Sequence, residues 1–260
     1  LVNEDDEIFS ALINQQENHV SCKVTACEPI KGYEKASILL EQLENIFKLF
    51  CYGRRDYQDV GIFKYDLVHE RKHIAFSGGR KLNWSLAKEG ASVPMKISDV
   101  LEKGLFTKII EKLSSPSLNK MEKQLMIAID FCGRASCEKQ PCLGFLFCMF
   151  GLEALVQSDD DHFVSAAIPA QMTDAYAFII AKDYKERIQC AEDFHYMYKK
   201  RCKIAHGEAV NISDKDYRMA WKYLYSFIIY FLADETISKI ETMEAFKKHV
   251  QDQKFQKTVR

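Results

Sequence analysis

The residues best suited to chemistry lie in one stretch, Tyr196-Met197-Tyr198-Lys199-Lys200-Arg201-Cys202-Lys203-Ile204-Ala205-His206-Gly207. A guanidinium offers a planar fork of N–H donors that matches two phosphate oxygens, and an imidazole can carry a proton near neutral pH. Arg201 and His206 are five residues apart, a rotation of roughly 140° on a continuous helix. They share a face only if the helix ends between them or just after them. Gly207 supplies that end, because glycine takes the left-handed conformation past a C-cap at no steric cost. His206 then sits at a helix C-terminus, where the macrodipole favours an imidazolium and hence a general acid. Lys199, Lys200 and Lys203 add positive charge around the pair. A blander reading stands beside this one. With nine arginines and seven histidines in the chain, an Arg five residues before some His arises by chance with an expectation of roughly a quarter. Basic residues also gather at helix C-termini for the dipole alone.

Other clusters carry less. The nine cysteines are odd in number and form no C-x-x-C pair, which suits free thiols in a reducing compartment rather than a disulfide framework. Cys132, Cys137, Cys142 and Cys148 are spaced more widely than zinc-ribbon ligands, with no histidine close by in sequence. His69 and His73 would need a helix to share a metal, where the pattern reads strand. Gly78-Gly79 lacks the spacing of a phosphate loop. The acids nearest the Arg–His segment, Glu192, Asp193 and Glu208, are placed singly or apart from it. They do not form the carboxylate cluster that two-metal chemistry requires. No metal and no cofactor are expected.

The elements that must position the pair can be read from periodicity. Residues 20–30 suit a strand, and 33–51 an amphipathic helix with Ile38, Leu39, Leu43, Ile46, Phe47 and Phe50 at three- and four-residue spacing. Strands follow at 60–68 and 73–76, and 78–94 reads as irregular. After Pro94 everything reads as helix. Helices are expected from Ser98 to about 113, at 118–132 with Ser117 as cap, and at 143–156, a stretch apolar nearly all round that suits a bundle centre. The next spans 163–181, with Pro169 either kinking it or marking its true start. Another runs over 183–205, with Tyr184, Ile188, Ala191, Phe194 and Tyr198 on one stripe. Ser213-Asp214-Lys215-Asp216 reads as a capping box opening an aromatic helix over 217–233. Its aromatics suit bundle core and dimer surface. A polar helix from Ser238 to about 251 closes the fold.

The chain has 260 residues, 47% of them hydrophobic, and a formal net charge of −1. It can bury a real core, and a disordered charged tail is excluded. No apolar run approaches the ~20 residues of a membrane span, so no membrane role is expected. The opening at Leu1 rather than at a methionine suits a piece of something longer, with room for an upstream domain or a regulatory partner.

The Arg201–His206 segment resembles the Arg-x4-6-His motif of the HEPN superfamily, most closely its Apea-like group. There a helix rich in Tyr and Leu runs into Arg, then three or four residues, then His-Gly. Phe150-Gly151-Leu152-Glu153-Ala154-Leu155 looks like that group's helix ending in Leu-Glu-Ala-Leu. The likeness covers about 143–232, and 20–68 more loosely. It implies an α+β but mainly helical protein: a HEPN-type bundle over 96–260 preceded by a small mixed α/β region over 1–95. It also implies a cytoplasmic, metal-independent endoribonuclease of prokaryotic antiviral defence (abortive infection) or of a toxin system. Such a protein works as a homodimer whose two motifs face each other across a basic groove that takes RNA. Arg201 and His206 would be catalytic, and Lys199, Lys200 and Lys203 would contact RNA. Glu153 would be the extra acid that some of these nucleases carry on a neighbouring helix; its blander reading is a core-edge acid paired with a lysine. Active members often have Asn, Asp or His directly after the Arg, and many Apea-like proteins have Ser. Here the residue is Cys202, which favours the alternative, a catalytically inactive HEPN module that binds RNA or a partner, or dimerises.

Overall fold

The structure is a computed structural model that describes residues 24–50, 72–77, 80–85, 104–115, 117–136, 138, 140–157 and 168–255. Among them the chain is mainly helical, as the periodicity predicts. Helix α1 spans Pro29–Phe50. Pro29 opens this helix instead of closing a strand, because at the first helical position its missing N–H goes unused anyway and its φ is preset. Residues 24–28 form no strand. The rest of that expected strand, and the one at 60–68, lie outside the described residues. Strands β1 (Lys72–Ser77) and β2 (Arg80–Ser85) pair antiparallel, with His73 opposite Trp84 and Ala75 opposite Leu82. β2 falls in the stretch read as irregular. Its sequence has no clean alternation, and cross-strand pairing with β1 decides it.

Helix α2 spans Gly104–Leu113 and α3 Lys120–Ser136; Ser98, the expected start of α2, lies outside the described residues. The cap of α3 is Asn119, not Ser117. Asn119 Oδ1 accepts from the Glu122 N–H at 2.8 Å, and Glu122 Oε2 accepts from the Asn119 N–H at 3.0 Å, a reciprocal box that Ser117 is too far away to make. Helix α4 spans Pro141–Ala154 and α5 Ile168–Ile179, with Pro169 at its second position; the stretch expected as helix before Ile168 lies outside the described residues. Helix α6 spans Tyr184–Ala205, and α7 spans Asp214–Ala233 behind the expected capping box at Ser213. The closing helix is broken in two, a 3-10 turn at Ile237–Lys239 and α8 at Met243–Phe255. The Thr242 hydroxyl accepts from the Ala245 N–H at 3.2 Å and starts α8 afresh.

Helix α4 lies at the centre, packed between α3 and α7; α5 runs along α6, and α8 closes on α5. Phe145, Met149 and Leu152 of α4, Leu224 and Phe227 of α7 and Ile129 of α3 share one buried cluster. Ile46 and Leu49 of α1 belong to the same cluster and are fully buried. Among the described residues, the small mixed α/β region expected over 1–95 is therefore not seen. The apolar stripe of α1 finds its cover, among the described residues, mainly on α3. The stripe expected on α6 is also corrected. Its buried residues are Cys190, Phe194 and Met197, whereas Tyr184 is 78% exposed.

The α1–α3 crossing depends on a glycine. A Cβ at Gly133 would stand 2.3 Å from the carbonyl oxygen of Asn45, a backbone atom that cannot turn aside. The same approach lets Asn45 Nδ2 donate to Asp130 Oδ1 at 2.5 Å. Gly133→Ala is expected to destabilise the fold by about 2 kcal/mol, as overpacking in a core does. Denaturant unfolding checks this, and an unchanged midpoint would refute it.

Candidate active site

Helix α6 carries the motif and is defined at both ends. Asp183 caps its start by accepting from the Glu186 N–H at 2.8 Å. Its last regular residue is Ala205, and His206 is the C-cap. Gly207 follows with φ +77°. The Gly207 N–H donates to the Ile204 carbonyl at 3.0 Å and the Glu208 N–H to the Lys203 carbonyl at 2.9 Å. These two bonds make a Schellman motif, the helix ending that a C′ glycine permits. The sequence expectation for Gly207 and for the place of His206 holds.

Arg201 does not point into solvent. Its Nε donates to Glu153 Oε1 at 2.8 Å and its terminal Nη2 to Glu153 Oε2 at 2.9 Å. Glu153 is 8% exposed, on the last turn of α4. The guanidinium also lies against two aromatic rings, Phe150 at 5.7 Å and Tyr198 at 5.9 Å from ring centroid. Burial works against the Arg201 charge, but the hydrogen bonds and charge of Glu153 outweigh it and raise its pKa further above the usual arginine value. Two residues 48 positions apart are thus joined as a two-bond fork. The fork occupies the Nε–Nη2 side of the guanidinium. Of its five N–H groups, both on Nη1 and one on Nη2 stay uncommitted to Glu153, so a second anion can be held at the end of the plane.

The lysines behave differently from the sequence expectation. Lys200 Nζ donates to Asp216 Oδ2 at 2.8 Å and to the Asn211 carbonyl at 3.2 Å, and stands 4.9 Å over the Tyr196 ring. Asp216 accepts as well from the Tyr196 hydroxyl at 2.7 Å and from the N–H and hydroxyl of Ser213 at 2.8 and 2.7 Å. Burial alone would raise its pKa. The bonds from Lys200, Ser213 and Tyr196 overcome this and hold the Asp216 carboxyl far below the usual range. Lys203 pairs with Glu208 at 3.5 Å on the surface. Lys199 and His206 are exposed. Among the described residues no hydrogen bond or ion pair links the His206 imidazole to Arg201 or Glu153. The structure therefore brings Arg201 and Glu153 together and leaves His206 at the rim. Lys200 is turned away to α7.

Sequence reasoning missed the Asp216 hub. Ser213–Asp216 reads as a helix cap and nothing more, yet Asp216 serves both the cap and two residues of α6. A signal was present in the Tyr196–Lys200 spacing, which places an aromatic and a cation on one helix face. The cysteines of the spaced cluster that can be described, Cys132, Cys142 and Cys148, are free thiols. Burial pushes Cys132 and Cys148 well above the usual thiol range; Cys137 lies outside the described residues. No group of three or more His, Cys, Asp or Glu among the described residues is placed to hold a metal ion. Likewise none of the described helices is long and apolar enough to cross a membrane. Compared with known proteins, the chain matches no family model, no curated protein and no solved structure.

Proposed function

We propose that the chain is a HEPN-type, metal-independent endoribonuclease module that acts as a homodimer in the cytoplasm, in antiviral defence or a toxin system. The observation that carries the reading is the Glu153–Arg201 fork, since it aims a guanidinium and leaves its end free for a phosphodiester. In the proposed reaction the RNA 2′-oxygen bonds to the adjacent phosphorus while the bond to the 5′-oxygen breaks. The 2′-hydroxyl gives up its proton to a base, and the leaving 5′-oxygen takes one from an acid. His206 fills one of these roles, and His206 of a second copy supplies the other. Arg201 stabilises charge on the pentacoordinate transition state. Glu153 orients Arg201.

End chemistry tests this. The products should carry a 2′,3′-cyclic phosphate and a 5′-hydroxyl, cleavage should survive EDTA, and DNA should stay intact for want of the 2′-hydroxyl. A 5′-phosphate with a strict Mg²⁺ requirement would mean another mechanism.

A second reading is favoured by the lysines. Lys200 and Lys203 are engaged with Asp216 and Glu208, so the basic surface is smaller than the sequence suggests. A non-catalytic module that binds RNA or a partner fits that surface. RNA bound but left intact by the purified protein would select it.

A further inference from the structure

The Arg–His motif is joined to α7 by residues 206–213, a connection without regular structure after the Schellman turn. Its far end is fixed by the Ser213 capping box and by burial of Ile212. Its middle is held from α6. Lys200 reaches across eleven residues to the Asn211 carbonyl and, with the same ammonium, to Asp216 in the first turn of α7. The Tyr196 hydroxyl braces the other oxygen of Asp216 at 2.7 Å, and its ring lies under the ammonium. The side chain of Lys200 is 19% exposed and that of Asp216 6%, so water screens the pair little.

We propose that Lys200 is a positioning residue for His206 rather than a phosphate-binding one: with Asp216 and Tyr196 it closes the 206–213 connection into a braced ring. The ring adjoins the C-cap, where three backbone bonds hold the turn at 206–208; a loosened connection lets that turn fray from its far side and spreads the imidazole over several positions. An acid–base group displaced by an ångström loses much of its rate while substrate binding is kept. This role rests on the ribonuclease reading; the brace itself does not.

The test uses the full chain with Lys200→Met, Lys200→Arg and Lys199→Met. Amide hydrogen exchange is followed across residues 206–213. Lys200→Met should speed exchange at Glu208 and Ser213, the hydrogen-bonded amides at the two ends of the connection, by about tenfold or more, as loss of a local brace does. Lys200→Arg, which keeps charge and donors, should restore much of the protection, and Lys199→Met should exchange like wild type. In cleavage assays Lys200→Met should lower kcat about tenfold with KM within about twofold. The salt dependence of RNA binding separates the two roles of a lysine. A phosphate contact contributes about one unit of slope, so Lys199→Met should lose about that and Lys200→Met should lose none. Unchanged exchange in Lys200→Met, or a slope reduced by about one, overturns the proposal. A wild-type chain that cuts no RNA brings down the ribonuclease reading alone, because the exchange measurement still decides whether Lys200 holds the connection.

Discussion

Replacing His206 by alanine is expected to lower RNA cleavage by ~100-fold or more while the melting temperature stays within about 1 °C of wild type. The first half follows from removing a group that transfers a proton in the transition state. The second follows from the site. His206 is exposed at the C-cap, and the bonds that end the helix come from its backbone and from the N–H groups of Gly207 and Glu208. Alanine keeps all of them. Loss of activity therefore reports chemistry and not folding. A folded His206→Ala protein that still cleaves at the wild-type rate would remove His206 from the mechanism.

Arg201→Ala is expected to behave otherwise. From the sequence, both motif residues sit at a helix end rather than in the core, so replacing either should not unfold the protein. The structure separates them. Removing Arg201 strands the Glu153 carboxylate, which is 8% exposed on the innermost helix. Breaking one side of a buried pair costs about 3 kcal/mol, a fall in Tm of roughly 6–12 °C for a chain of this size. Arg201→Met combined with Glu153→Leu removes both charges and fills the space with apolar atoms, so it should recover most of that loss. The double variant also separates the two duties of Arg201. Stable and inactive, it would show that the guanidinium is needed for cleavage itself. Stable and fully active, it would reduce Arg201 to a strut between α4 and α6. Thermal melts and single-turnover cleavage of the same three proteins provide both answers.

The places where the sequence was informative share a physical cause: local chemistry decided them. Gly207 after a basic helix end and Ser213 with Asp216 three residues on each complete their own hydrogen bonds within a few residues. The apolar character of α4 all round its axis likewise placed it at the centre. Glu153 was legible as a candidate only through family resemblance, and the contact with Arg201 spans 48 residues that no periodicity links. What failed was decided by tertiary partners. Pro29 is compatible with a strand end or a helix start, and packing of α1 on α3 chose the second. Lys200 reads like its neighbours Lys199 and Lys203, and only the approach of α7 reveals that Asp216 claims it. The inward face of α6 was misassigned because Tyr184 and Ile188 are apolar yet have no neighbour among the described residues that buries them; both stay exposed.

The close crossing at Gly133 has a consequence for biosynthesis. Asn45 and its partner Asp130 lie 85 residues apart. Chains grow at about 5–20 residues per second, so α1 leaves the ribosome roughly 4–17 seconds before the helix that covers it. For that interval Ile46 and Leu49 have no lasting cover from α3, and nascent α1 offers an apolar face to whatever waits at the exit tunnel. A demand on chaperones at α1 thus falls well before the residues proposed for catalysis have been translated.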